Sequence, residues 1–199
     1  MRGFLVLGVL CGLITTVGAA PKKPKREPRA LVLVLDKSGS MQGPRLEAAK
    51  ESARVAVEVL DPGDTIAIVA FDSEAILLVK PQVVANKAQI SEQISKLTSG
   101  GGTNILPGLK EAQTILADIK AKKKHVIVLS DGEAPYDGIE ELVKEMHDAK
   151  ITISAVGIPS ADKVLLGKIA DGGAGRLYMI EDLGALPKIF LKETREALR

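Results

Sequence analysis

From Ala30 onward the hydrophobic positions alternate between two periods. Ala30-Leu-Val-Leu-Val-Leu35 is a continuous aliphatic run, the pattern of a central strand buried on both faces. Pro44 then opens a helical stretch to about Leu60, with Leu46, Ala49, Ala53, Ala56 and Val57 along one face. Asp61-Pro-Gly-Asp64 reads as a turn, and Thr65 to Phe71 as a second strand. Only Asp72-Ser-Glu74 separates that strand from Ala75–Val79, so the latter is expected to pair antiparallel to it at a sheet edge. Asn86 to Leu97 is helical and runs into Ser99-Gly-Gly-Gly102, and a further helix follows from Ile105 to Lys120. His125–Ser130 is the next strand, and Asp137-Gly-Ile-Glu140 has the form of a capping box opening a helix to Ala149. Strand Ile151–Val156, helix Asp162–Ala170, strand Arg176–Ile180 and helix Asp182–Ala197 complete the series.

Strands alternating with helices of about a dozen residues imply right-handed crossovers. The expected fold is α/β and doubly wound: a mainly parallel, Rossmann-like central sheet, one antiparallel edge strand, and helices on both faces. In such sheets ligands bind outside the carboxyl ends of the strands, where strand order reverses.

Composition narrows this picture. The 199 residues suffice for one sizeable domain, and 46% hydrophobic with 26% charged content is a globular balance. Aromatic residues make up only 3% and Trp is absent, so the core must be built from Val, Ile, Leu and Ala. The formal charge of +2 hides an asymmetry: Lys22, Lys23, Lys25, Arg26 and Arg29 cluster around Glu27. Residues 30–199 carry 21 basic and 24 acidic side chains, so nothing global points to nucleic acid.

The amino-terminal end has the form of an export signal. Arg2 precedes an apolar run from Gly3 to Val17, followed by Gly18-Ala19-Ala20, so residues 1–19 are expected to be a signal peptide. The alternative is an uncleaved membrane anchor over residues 3–20. Residues 20–29 read as a basic, Pro-rich linker able to assist peripheral association with anionic headgroups, and residues 30–199 as the folded domain. Cys11, the single cysteine, lies inside the apolar segment, so the mature chain is expected to have no disulfide. These features imply an exported, periplasmic or extracellular protein, or one held at the membrane.

Candidate chemistry gathers in three loops. The first strand ends in Asp36-Lys-Ser38-Gly-Ser40, the strand at His125 ends in Ser130-Asp131-Gly132, and the glycine run leads into Thr103-Asn104. Each alone is an ordinary turn or helix cap. Together, three hydroxyls and two carboxylates supply part of an oxygen shell of the kind a hard cation such as Mg²⁺ requires.

Asp36-x-Ser38-x-Ser40, then Thr103, then Asp131-Gly132 resembles the metal-ion-dependent adhesion site (MIDAS) of von Willebrand factor type A domains. The likeness extends through Val32–Met41, Gly101-Gly-Thr-Asn104 and Leu129-Ser-Asp-Gly132, and covers residues 30–197. Arg45–Lys50 and Asp64–Asp72 resemble bacterial exported or membrane-tethered members. The resemblance implies a complete site in which Ser38, Ser40 and Thr103 give hydroxyls and Asp36 and Asp131 coordinate directly or through water. The implied ion is Mg²⁺, with Mn²⁺ or Ca²⁺ as alternatives, and a partner protein supplies an Asp or Glu as the last ligand. Met41, Gln42, Arg45 and the segment Glu133–Tyr136 would surround it, although Arg45 and Tyr136 also fit ordinary surface positions, and Asp72 and Glu74 fit turn roles.

Catalysis is disfavoured. The glycine run lacks the Lys-Ser/Thr ending of a phosphate-cradling loop. The two histidines are His125, at the wrong end of its strand, and His147, inside a helix. The expectation is a metal-dependent binding module and no enzyme. The alternatives are an assembly subunit of a larger complex, such as an ATPase-linked chaperone system, and a metal-dependent hydrolase.

Overall fold

The computed structural model describes residues 27–199. The signal-or-anchor segment, most of the linker and Cys11 lie outside the described residues. Among the described residues, no helix is long and apolar enough to cross a membrane.

Six strands form one sheet: β1 (Arg29–Asp36), β2 (Thr65–Phe71), β3 (Ala75–Val83), β4 (Lys123–Ser130), β5 (Ile151–Gly157) and β6 (Ala174–Met179). Their order is β3-β2-β1-β4-β5-β6, and every pairing is parallel except β2 with β3. The helices are α1 (Pro44–Glu58), α2 (Lys87–Ser95), α3 (Ile105–Asp118), α4 (Ile139–Asp148), α5 (Lys163–Gly172) and α6 (Leu186–Ala197).

The aliphatic run of β1 shows why two layers of helices are required. Successive side chains of a strand point to opposite faces. Val32 and Val34 enter one apolar cluster, with Ile105 and Leu109 of α3, Val143 and Met146 of α4, and Leu166 and Ile169 of α5. Leu31, Leu33 and Leu35 enter the other, with Ala49 and Ala53 of α1, Ile90 and Ile94 of α2, and Phe190 of α6. A strand that is apolar at every position is satisfied only when both faces are covered.

The boundaries shift where local chemistry is decisive. Arg29, grouped with the linker from sequence, is the first residue of β1 and is almost fully buried. Its guanidinium bonds Asp64, Asp61 and the Leu198 carbonyl, tying three distant segments together. β3 runs on through Pro81 to Val83, because an edge strand tolerates a proline with no N–H to donate. The Asp137–Glu140 capping box does not form: α4 begins at Ile139 behind Gly138, at φ 76°, and no side chain caps it. Asp162 does cap α5, accepting from the N–H groups of Val164 and Leu165 at 2.9 and 3.0 Å.

β1 lies between β2 and β4, so strand order reverses at the carboxyl ends of β1 and β4. Asp36 is the last residue of β1, and Asp131 directly follows β4.

Candidate metal centre

Asp36 and Asp131 are held in different ways. Asp36 is fully buried; its Oδ1 accepts from the Ser38 N–H at 2.8 Å and its Oδ2 from the Ser130 hydroxyl at 2.7 Å. Burial pushes its carboxyl above the usual range and nearby Asp131 adds to this, against the hydrogen bonds from Ser38 and Ser130. Asp131 accepts at Oδ1 from the Ser40 hydroxyl at 2.7 Å and at Oδ2 from Nη1 of Arg45 at 2.5 Å. The Ser38 and Ser40 hydroxyls stand 3.0 Å apart. Four of the five residues read as ligands thus form one continuous hydrogen-bonded cluster, buried at Asp36, Ser38 and Asp131 and open at Ser40.

Thr103 reaches the cluster through the glycine loop. The Gly100 N–H donates to the Lys37 carbonyl at 2.7 Å and the Gly39 N–H to the Gly101 carbonyl at 3.1 Å, which seats this loop on the one after β1. On its other side the Asn104 N–H donates to the Asp72 carbonyl at 2.7 Å. The Thr103 hydroxyl ends beside Asp131's neighbour: a Cβ at Gly132 would stand 3.4 Å from its Oγ1. Asn104, not Thr103, caps α3, accepting from the Leu106 N–H at 3.2 Å. The Thr103 side chain is therefore not committed to a helix cap.

Gly101 is required by the loop's path. It sits at φ 82°, and a Cβ there would lie 2.7 Å from Cγ of Asp72. Asp72 is in turn clamped by Lys37 and accepts from the Glu74 N–H, the turn role expected of it. Gly101→Ala is therefore expected to lower stability by about 1–3 kcal/mol through left-handed strain and overlap. Thermal unfolding measures this; an unchanged midpoint would show that the loop accommodates a side chain.

The surroundings of the site differ from expectation at Met41 and Arg45, whereas Tyr136 holds an ordinary surface position. Met41 is fully buried in the core beneath the site, so it is not a rim residue. Its position as the last residue of a Gly39–Met41 turn of 3-10 helix sends it inward. Arg45 is not a free surface cation but an ion-pair partner of Asp131. Tyr136 is exposed, and its hydroxyl donates to Asp162 at 2.7 Å while Lys168 lies over its ring, so its bonds are internal to the domain.

Three roles escaped the sequence reading. Ser130 orients Asp36, Lys37 clamps Asp72, and Arg45 holds Asp131. Ser130 had a usable signal, since a hydroxyl at a strand's carboxyl end, next to a candidate ligand, faces the same crevice. The two ion pairs span 35 and 86 residues and left no local signal. His125 is structural, as expected: its ring is buried between Thr152 and Glu193, far along β4 from the site.

The donor set fits a hard cation. Among the described residues no three of His, Cys, Asp or Glu gather at a metal-binding spacing. What gathers instead is two carboxylates with serine hydroxyls, and oxygen donors of this kind favour Mg²⁺, Mn²⁺ or Ca²⁺ over thiolate-seeking ions.

Comparison with known proteins agrees with this architecture. A bacterial structure described as von Willebrand factor type A from Catenulispora acidiphila superposes with a TM-score of 0.80 at 28% identity, covering 86% of this chain and 43% of that one. Proximal thread matrix protein 1 from the mussel byssus, described with a zinc-occupied MIDAS motif, has a TM-score of 0.76 at 23% identity over 86% of this chain and 46% of its own. In sequence, an uncharacterized protein of Synechocystis is 33% identical over 174 residues, and Escherichia coli YfbK is 28% identical over 191. The chain spans 41% and 33% of the lengths of these two relatives. The family model for the von Willebrand factor type A domain matches residues 30–192, and the chain belongs to that family.

Proposed function

We propose that this domain is a divalent-metal-dependent protein-binding module. Ser38, Ser40 and Thr103 would supply hydroxyls to the ion, with Asp36 and Asp131 coordinating directly or through water. The observation that carries this reading is the buried Asp36 carboxylate beside Asp131, two like charges brought together with hydroxyls at the strand-order reversal. Like charges are costly to bury together; Arg45 offsets only that of Asp131, and a divalent cation would offset what remains. A bound Mg²⁺ would supply an electrophilic position for an acidic side chain of a partner protein.

The family context supports binding over catalysis, since it is a family of protein-interaction and adhesion modules. The mussel protein is described with zinc at the corresponding kind of motif, and one pilus adhesin from Lactobacillus rhamnosus, in two forms, has the same fold. Export fits the apolar segment at residues 3–17, which would place the module in the periplasm, outside the cell or at a membrane.

Partner capture from a cell-envelope extract tests the proposal. Capture is expected in Mg²⁺ and is expected to vanish in EDTA, returning when Mg²⁺ is restored. Capture that resists EDTA would mean that the ion is not the contact.

A further inference from the structure

Arg45 occupies an unusual place for a cation beside a cation site. It is the second residue of α1, its side chain is partly exposed, and its guanidinium rests on the fully buried carboxylate of Asp131. Asp131 is thereby divided: Oδ1 bonds Ser40 and Oδ2 bonds Arg45. Two further charges in this region are paired elsewhere. Lys37 pairs with Asp72, and Glu47, in the same first turn of α1, pairs with Lys50.

We infer that Arg45 is a resident cation that competes with the divalent ion for the charge of Asp131, and thereby makes metal binding depend on the arrival of an acidic ligand. The inference rests on the metal-dependent reading above and deepens it. A charge count carries it. Asp36 and Asp131 together bear two negative charges, enough to neutralise one divalent ion. Arg45 cannot lose its proton, so it cancels one of them. The loaded site is then left with one net positive charge in a partly buried setting, where such charge is poorly screened. A carboxylate from outside restores neutrality; without it the ion is held against a standing repulsion. Coupling between two ligands is reciprocal, so a carboxylate that tightens the metal is itself held more tightly by the loaded site, where it faces both the ion and the guanidinium, than by the empty one.

The Ser40 hydroxyl bonds the other oxygen of Asp131 and does not pass through Arg45, so Asp131 is expected to stay seated when that side chain is replaced, which makes the idea testable. The experiment is calorimetric titration of Mg²⁺ into wild type, Arg45→Met and Arg45→Lys, in sodium chloride and in sodium acetate at equal ionic strength. Acetate serves as the carboxylate probe. In chloride, Arg45→Met is expected to bind Mg²⁺ about tenfold tighter than wild type, and Arg45→Lys to stay near wild type. In acetate, wild type is expected to gain severalfold in Mg²⁺ affinity and Arg45→Met distinctly less. Equal or weaker binding by Arg45→Met, or an identical acetate effect in both proteins, would overturn the inference while leaving the metal site standing. Folded wild type and Arg45→Met that both fail to bind Mg²⁺ would overturn the metal reading, and this inference with it.

Discussion

Asp36→Ala is expected to lower Mg²⁺ affinity by at least about 100-fold while the domain stays folded. A change in a metal's outer shell alone commonly costs 10- to 100-fold, and Asp36 is proposed to sit closer than that. The geometry explains the size of the effect. Asp36 orients the loop that follows it, accepting from the Ser38 N–H at 2.8 Å, and it receives the Ser130 hydroxyl on its other oxygen. Its removal takes away one of two carboxylates and frees the backbone that aims Ser38 and Ser40. Folding should tolerate the change, because a buried carboxylate whose ionisation burial opposes adds little stability of its own. Asp36→Asn helps separate the two contributions: it keeps a carbonyl for the Ser38 N–H, removes the charge, and turns the oxygen that accepts from Ser130 into an NH2 donor. Calorimetric titration with Mg²⁺ and Mn²⁺ gives the readout, with circular dichroism confirming the fold. Equal affinity in wild type and Asp36→Ala would sink the metal assignment.

The largest effect on stability is expected far from that site, at Glu193. This α6 carboxylate has no exposure to solvent, yet it accepts from the Ser154 hydroxyl at 2.7 Å, the Tyr178 hydroxyl at 2.6 Å and Nη1 of Arg176 at 2.9 Å. His125 stands 3.3 Å away across the same pocket. Burial pushes the Glu193 carboxyl up, but the neighbouring His125 ring and the hydrogen bonds from Tyr178 and Ser154 outweigh it and hold it at about 2, against an ordinary 4.5. Glu193→Ala strands several buried polar groups at once, and breaking such a buried pair costs about 3–5 kcal/mol. For a domain of this size that corresponds to roughly 10 °C or more in the unfolding midpoint. A variant melting within about 2 °C of wild type would show the network to be dispensable.

The same network sets the direction of the pH dependence. A carboxyl whose folded value is depressed contributes stability above its unfolded value and loses it as pH falls toward the folded one, here between about 4.5 and about 2. Burial also lowers the pKa of His125, so its neutral form is favoured in the fold and acid opposes folding from below its ordinary 6.5. Both contributions have the same sign. Denaturant midpoints are expected to decline as pH drops below about 6 and more steeply below 4.5, and Glu193→Gln is expected to flatten the lower part of that decline.

Much of the fold could be read before any coordinate. The continuous aliphatic run at Leu31–Leu35 demanded cover on both faces, and the periodicity of Leu46–Val57 could come only from a helix lying on one of them. Antiparallel pairing of Ala75 onward followed from a connection too short for a crossover. The same logic put Asp36 and Asp131 at strand ends on one side of the sheet. Errors arose where signals were short. The Asp137–Glu140 pattern matched a capping box by spacing alone, but Gly138 took a left-handed conformation and started the helix itself. Met41 looked like rim because it follows the ligand loop, whereas one 3-10 turn carried it into the core.

What the sequence determined by itself was the part encoded locally: strand and helix identity, the parallel architecture, and the loop bearing Asp36-x-Ser38-x-Ser40. Periodicity and turn chemistry act over a few residues, so one strand of text contains them. What only the tertiary structure decided was which side chains meet across long separations. Arg45 on Asp131, Lys37 on Asp72, and His125, Ser154, Arg176 and Tyr178 around Glu193 are pairings between elements brought together by sheet order and helix packing. Charge and hydrogen-bonding capacity are written in each residue, but the partner that satisfies them is chosen by proximity, and proximity exists only in the folded chain.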